Sequence, residues 1–531
     1  MVLLSFCFFT SIVALWSFLK FKGKYSKTLN GFFLAGRSNG FVMVGAALLL
    51  TNLSANQFIG ENESVYINNL SVIGWGVSSV LAMLLVSEFL LPIYFKNGFR
   101  TVPDFLSLRY NNATKTLVSI IVLLGYMVNL LPPVLYGGAL SFASMFDLPG
   151  YFNISYWQSI WMLVWTLGII ASGYTILGGL KMISISDMTL GIGLFFLALI
   201  IPIYGLWHLG DGSMMVGLKT ILSSKTEHLN AVGSHRDAVP FSTLFTGMIL
   251  INFYYWGMEQ YIAQQSLSAK NLEEAQKGMT FAAGGKLLMP FLINLPGLLA
   301  VHIIPNVVPT ASVFPELIKH ILPDIFVGFS LALVFGAAMT TYTAGLQSCG
   351  SLFVFNIYKP LLARKNKPIS DDELLKKGKF FEIIVSLFAM VIAPFILFAH
   401  DGFYTYLQTV SGFFNMPIFT IMLMGILSRS VAPQMAQVGL FIFMLGFALL
   451  KFVLDIDLHY LHIFAILFVV VSLIIYLGSR FLYPQYHSDF KVDFSKAGRE
   501  SYWKGRYRYA FILLLLMVGL YVLLSPIGVA S

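Results

Sequence analysis

Fourteen stretches of about twenty or more mostly apolar residues, joined by polar loops, leave this 531-residue chain few folds to choose from. They cover about 2–21, 40–69, 71–96, 115–146, 155–177, 183–208, 240–265, 279–304, 324–358, 378–399, 403–427, 434–454, 459–483 and 508–528. A hydrocarbon core about 30 Å thick takes roughly 20 residues of apolar helix, so each run can cross once. Only 11% of the residues are charged, whereas soluble globular domains carry about 25%. The chain is therefore expected to be an all-α polytopic membrane protein of about 14 transmembrane helices. The longer runs must be tilted, broken or extended past the bilayer.

The formal net charge of +9 raises nucleic acid as a partner, and its distribution argues against one. With the N-terminus outside, 27 of the 33 Lys and Arg fall in alternate loops: 20–39, 96–115, around 181, 266–279, 359–379, around 429 and 480–508. Those loops are then cytoplasmic by the positive-inside rule, and both termini lie outside. The first run has no basic leader and is followed by Lys20, Lys22, Lys24 and Lys27. It is expected to stay as a span. Short cytoplasmic loops suit the plasma membrane of a bacterium, its inner membrane. Cys7 and Cys349 sit in separate runs and imply neither a disulfide framework nor a zinc site. His459 and His462, three apart at the outer end of a span, are expected to meet water rather than a metal. No nucleophile and base arrangement for catalysis stands out, so no enzymatic activity is expected. The segment 98–112 alternates Phe105, Leu106 and Leu108 with Arg100, Asp104 and Arg109, a pattern expected on the inner membrane surface. Ser370, followed by Asp371, Asp372 and Glu373, is expected to cap a short surface helix.

Two spans are interrupted by polar residues: the second at "LTNLSANQFIG" (50–60) and the seventh at "INFYYWGMEQ" (251–260). Irregular or polar backbone at membrane depth is tolerated only where it faces protein or a cavity. The two spans are five apart and so run in opposite directions, as two inverted repeats of five helices require, each opening with a broken helix. The corresponding division is 1–39, a first helix and loop; 40–239, the first repeat with its outer loop; 240–428, the inverted repeat; and 429–531, three C-terminal helices. On pattern alone the polar runs also serve as helix-packing seams.

The segments "GFFLAGRS" (31–38), "TNLSANQFIG" (51–60), "YTILGGLKMISISD" (174–187), "NFYYWGMEQYIAQQSLSAKNLEEAQKG" (252–278) and "GAAMTTYTAGLQS" (336–348) resemble the sodium:solute symporter family, in particular its sodium/glucose cotransporter-like sugar branch. The resemblance runs from about residue 30 to about 430 and implies the inverted-repeat fold of the leucine transporter. It implies sodium as the coupling ion, held by the carbonyls of Leu50, Leu53 and Ala337 and the hydroxyls of Thr340 and Thr341. Neutral oxygens of this kind suit a hard cation. Without the resemblance, Thr340 and Thr341 read as helix-to-helix hydrogen bonds. By position, the family's sugar contacts fall on Gln57, Ser79, Asn129, Asn252, Lys286 and Gln408, with Tyr255 closing the inner side. An unpaired lysine at the bilayer centre costs about 3 kcal/mol or more, so Lys286 must face a cavity or snorkel. Asp187 matches the family's acidic residue near the inner end of the sixth span, on an ion path. Pairing with Lys181 and a place at a helix start are its alternatives. Glu259 suits a second cation, a proton or a neighbouring lysine.

Two positions depart from the family. Gly76 stands where its sugar carriers have a glutamate, and Gln264–Gln265 stands where they have Gln-Arg. Glu61 and Glu63 lie a turn or so beyond Gln57 and are expected to be solvated outer-loop charges, the alternative being that they supply an acid from the outer side. The function expected is a secondary active transporter coupling sodium entry to uptake of a small polar organic solute, a sugar or sugar derivative. A sodium- or proton-coupled carrier of an acidic sugar, carboxylate or amino acid is one rival. A non-transporting membrane sensor is another.

Overall fold

The computed structural model describes residues 1–20, 27–53, 55–145, 148–235, 237–308, 310–365, 370–398, 403–490 and 502–530. These are helical but for loops and one isolated bridge between Asn39 and Ala269. The main helices are α1 (Val2–Lys20), α2 (Phe41–Asn52), α3 (Ala55–Ile67), α4 (Leu70–Lys96), α5 (Asn112–Ala143), α6 (Tyr156–Leu209), α7 (Gly247–Gly257) and α8 (Gln260–Leu267). They continue as α9 (Leu272–Ile303), α10 (Asp324–Ala363), α11 (Asp371–Leu397), α12 (Leu407–Leu427), α13 (Pro433–Val453), α14 (Tyr460–Leu482) and α15 (Arg506–Leu523).

Among the described residues, eleven helices are long and apolar enough to cross a membrane singly, and α2 with α3 makes a twelfth span bent by 58°. Helix α6 has 54 residues and is broken at Gly179 (φ 62°, ψ −170°), which divides the fifth run from the sixth. The seventh run lies outside this set: it forms two short helices, α7 and α8, on either side of Met258 and Glu259.

Gly179 is required by its backbone. A Cβ there would lie 2.8 Å from the Phe32 carbonyl, in a conformation that side chains disfavour. Further irregularity comes from π-turns, including Val86–Leu90, Tyr126–Leu130 and Pro290–Asn294. Proline lacks the N–H that closes the preceding turn, so Pro132, Pro133, Pro290 and Pro296 loosen the ladder beside the second and third of these.

Two sequence expectations are refined. The helix Asp104–Arg109 packs one face on protein, with Phe105, Leu106 and Arg109 buried, while Leu108 stays exposed. Arg109 donates to the carbonyls of Gly425, Ser428 and Val431 at 2.9, 2.5 and 3.1 Å, capping the C-terminal end of α12. Its alternating pattern arose because one face packs on protein and the guanidinium finds orphan carbonyls instead of water. Ser370 does cap a helix, accepting from the Glu373 N–H at 3.2 Å. That helix is the start of the span α11, not a short surface element. Cys7 is exposed, Cys349 is buried, and both are free.

Gly179→Ala is expected to cost about 1–3 kcal/mol through the forced backbone and to lower the thermal midpoint in detergent. Gly173→Ala, in the same helix with nothing within 4 Å of its Cβ, is expected to be neutral or to stabilise by up to about 1 kcal/mol.

Candidate functional site

The break in α2–α3 faces α10. Thr340 Oγ1 reaches the carbonyls of Leu50 at 3.1 Å and Ala337 at 3.0 Å. Thr341 Oγ1 reaches those of Thr51 at 3.0 Å and Ala337 at 3.2 Å. Four of the five expected sodium positions therefore meet in one seam. Leu53, the extended residue just past α2 (φ −73°, ψ 97°), does not offer its carbonyl to either threonine hydroxyl among the described residues, and the Thr51 carbonyl stands in the seam instead. The donor set fits a small hard cation, because hydroxyl protons now aimed at the carbonyls rotate away when an ion takes their place.

Thr341 also lines a cavity of about 180 Å³ between the two breaks. That volume lies below the roughly 300–1,000 Å³ of pockets that hold drug-sized ligands, and so suits a small solute. Of the seven expected substrate positions, Gln57, Asn129, Asn252, Tyr255, Lys286 and Gln408 line it. Ser79 does not: its buried hydroxyl bonds back to the Gly76 carbonyl at 2.5 Å. The neighbouring Ser78 instead accepts from Asn252 Nδ2 at 3.0 Å, and Trp75 lines the wall. Lys286 is 2% exposed, with its ammonium 5.7 Å from the centre of the Trp256 ring. It faces the cavity and does not snorkel.

Tyr255 closes part of the cavity through its hydroxyl, which meets Asn52 Nδ2 at 3.0 Å and the Tyr261 hydroxyl at 2.9 Å. This ties the second span to both halves of the seventh. Glu259, in the break between α7 and α8, also lines the cavity and is buried. Among the described residues no lysine pairs with it: it accepts from the Tyr126 hydroxyl and from Asn415 Nδ2, the latter at 2.9 Å. Tyr126 and Asn129 both stand in one π-turn of α5, where the widened turn aims them into the same space.

Glu61 overturns its expectation. It is not a solvated loop charge but a 3% exposed carboxylate, which accepts from Gln57 Nε2 and from Asn294 Nδ2, at 2.9 Å for the second. Glu63 is half-buried and accepts from Thr310 at 2.6 Å. Gln265, at the family's arginine position, donates to the Thr51 hydroxyl at 3.3 Å.

A second cavity, about 260 Å³, lies behind the seam and is lined by Thr340, Thr343, Ser186 and Asp187 among others. Asp187 is fully buried, and neither carboxylate oxygen has a hydrogen-bond partner among the described residues. Lys181 is held elsewhere, by Ser38 Oγ at 3.0 Å and Asn39 Oδ1 at 2.6 Å. Asp187 also lies within α6 beyond the Gly179 break, not at a helix start. His459 Nδ1 accepts from the Leu461 N–H at 3.4 Å and caps α14. No cluster of three metal-ligating side chains occurs among the described residues.

Asn52, Tyr126, Tyr261 and Asn415 were not singled out in the sequence. Asn52 was discoverable, since it sits in the polar run. The others depend on a π-turn and on the bend at Glu259, for which the sequence carries no separate signal.

The family model for the sodium:solute symporters matches residues 32–442. The chain is 33% identical to an uncharacterized symporter of Escherichia coli, YidK, over 99% of this chain and 91% of that one. It is 28% identical to the sodium/glucose cotransporter of Vibrio parahaemolyticus over 80% of each, and 26% identical to the mouse sodium/myo-inositol cotransporter 2 over 86% and 70%. A sodium-coupled sialic acid symporter solved in a substrate-bound, outward-open state shares the fold, with a TM-score of 0.76 at 17% identity over 93% and 99% of the chains.

Tyr255→Phe is expected to lower the thermal midpoint, because Asn52 and Tyr261 each lose a buried partner at about 1–3 kcal/mol. Tyr254→Phe is the control, since that hydroxyl is buried with no partner among the described residues. Its removal is expected to be neutral or stabilising.

Proposed function

The chain belongs to the sodium:solute symporter family, a membrane transporter coupled to sodium and not a sensor, and from that premise we propose that it takes up a neutral polyhydroxylated solute, a sugar or cyclic polyol. The observation that carries this reading is the shared residue. Thr341 belongs at once to the seam of neutral oxygens and to the wall of an amide-lined cavity.

Sodium would be held by the carbonyls of Leu50 and Ala337, with Leu53 or Thr51 completing the set, and by the hydroxyls of Thr340 and Thr341. Bound there, it ties the broken second span to α10 and fixes Asn52 and Gln57 on either side of the break. The solute then meets an ordered wall. Coupling of this kind is reciprocal, since the solute fixes the same break for the ion. Asn129, Asn252 and Gln408 supply amides for hydroxyl groups, Lys286 supplies a donor, and Trp75, Tyr255 and Trp256 supply apolar faces for a ring. Thr340 opens on the second cavity, which supports Asp187 as a way-station on the ion's path.

Charge favours a neutral solute over an acidic one. Two carboxylates, Glu61 and Glu259, lie in or behind the wall against the single ammonium of Lys286. An anion would enter a site whose one cation is already offset. The relatives named for glucose and myo-inositol support the same class. The basic loops support both termini outside, and the two breaks support repeats over 40–239 and 240–428.

Purified protein should be stabilised against heat by a neutral sugar or inositol in sodium and not in potassium. Thr341→Ala should weaken the sodium response about tenfold or more, because one of few ligands is lost. Equal stabilisation in potassium would overturn sodium coupling at this seam.

A further inference from the structure

Glu259 stands immediately before α8, in extended backbone (φ −67°, ψ 118°). An acidic side chain at that place ordinarily turns onto the free N–H groups of the first turn, the positive end of the helix dipole. Glu259 makes no such capping bond. The Tyr261 N–H is taken at 3.2 Å by the Tyr126 hydroxyl, which reaches across from α5. The Ile262 and Ala263 N–H groups go to the Glu259 carbonyl, at 3.2 and 2.8 Å. The carboxylate is drawn off the helix end instead. The Tyr126 hydroxyl donates to one of its oxygens, and Asn415 Nδ2, from α12, donates to the other at 2.9 Å.

Tyr126, Asn415 and Glu259 all line the substrate cavity. Among the described residues lining it, Glu259 has the only carboxylate and Lys286 the only ammonium. Glu61 lies behind the wall, and Asp187 lines the other cavity. An ionised carboxylate offers about four acceptor positions. Tyr126 and Asn415 fill two, and the adjoining Gln260 N–H can fill a third. One more donor has a place, on the side that borders the cavity.

Resting on the reading above, we propose that Glu259 is a direct ligand of the solute and a determinant of its specificity, accepting a hydrogen bond from one hydroxyl group. A hydrogen bond to an ionised group is about twice as strong as one between neutral groups. The hydroxyl that faces Glu259 is therefore read more strictly than those that face the amides. Lys286 can only donate, and so takes a hydroxyl oxygen. The two charged groups ask for opposite ends of a hydroxyl, and a polyol meets both without bringing charge of its own. Glu259 belongs to the break between α7 and α8, whereas Tyr126 and Asn415 belong to α5 and α12. A hydroxyl held there joins the break to both helices.

The test uses the full chain in detergent, with D-glucose, D-galactose and myo-inositol as probes and sodium-dependent thermal stabilisation as the readout of binding. The best of the three is then compared with its monodeoxy derivatives, on the wild type and on Glu259→Gln, which keeps the shape and removes the charge. The parent solute should lose about tenfold or more in affinity on Glu259→Gln. The derivative that lacks the hydroxyl facing Glu259 should already be that weak on the wild type and lose little further, while the other derivatives lose as the parent does. Stabilisation by sodium alone should be unchanged. A merely structural role would weaken the parent and every derivative alike; that result, or no loss at all, overturns the inference and leaves the substrate reading standing. Loss of the sodium response also overturns it, marking Glu259 as a cation ligand. If Glu259→Gln does not fold, Glu259→Asp, which draws the carboxylate back by one methylene, carries the same comparison. A wild type that no neutral probe stabilises in sodium overturns the substrate reading and this inference together.

Discussion

Backbone that leaves a helix inside a bilayer must find partners in the protein, because lipid supplies none. Among the described residues the chain does this at two places, Leu53 and Met258 beside Glu259, and the rest of the site follows from how those breaks are satisfied. At the first, the carbonyls of Leu50 and Thr51 are met by two threonine hydroxyls from α10. At the second, the backbone N–H of Tyr261 donates to the Tyr126 hydroxyl at 3.2 Å. The substrate cavity lies between these two repairs. Neither is a packing seam alone, since each exposes oxygens that water, an ion or a solute can replace.

The sequence carried the crossings and the breaks because their signals are compositional. Apolar runs need no partner to be recognised, and Asn, Ser and Gln inside one are costly enough to stand out. Six cavity positions, Gln57, Asn129, Asn252, Tyr255, Lys286 and Gln408, were legible through resemblance to the family. What was not legible depends on rotation about a helix or on distant chain. Ser79 and Ser78 differ by about 100° around α4, and only the second points to Asn252. Glu61 was misplaced because its position past the polar run suggested an outer loop, whereas α3 continues to Ile67 and buries it. Arg109 was misplaced because an alternating pattern does not say whether the charged face meets water or the carbonyls of a helix end some 320 residues away.

Thr340 and Thr341 are consecutive, yet they open on different spaces. On a helix, neighbours point about 100° apart, so one pair of hydroxyls can share a carbonyl of Ala337 and still border two cavities. An ion held between them is therefore in contact with the solute's chamber on one side and with Asp187's chamber on the other. Under the proposed coupling, an ion leaving the seam by way of Thr340 would enter the cavity lined by the buried Asp187 without passing the solute.

The missing third-span carboxylate at Gly76 then has a physical reading. A Cβ at Gly76 would lie 3.9 Å from Met289 and 4.0 Å from the Lys286 carbonyl, so the position has room and faces α9. Glu61 instead brings a buried carboxylate against α9 from α3, accepting from Asn294 of α9 and from Gln57, one turn nearer the break.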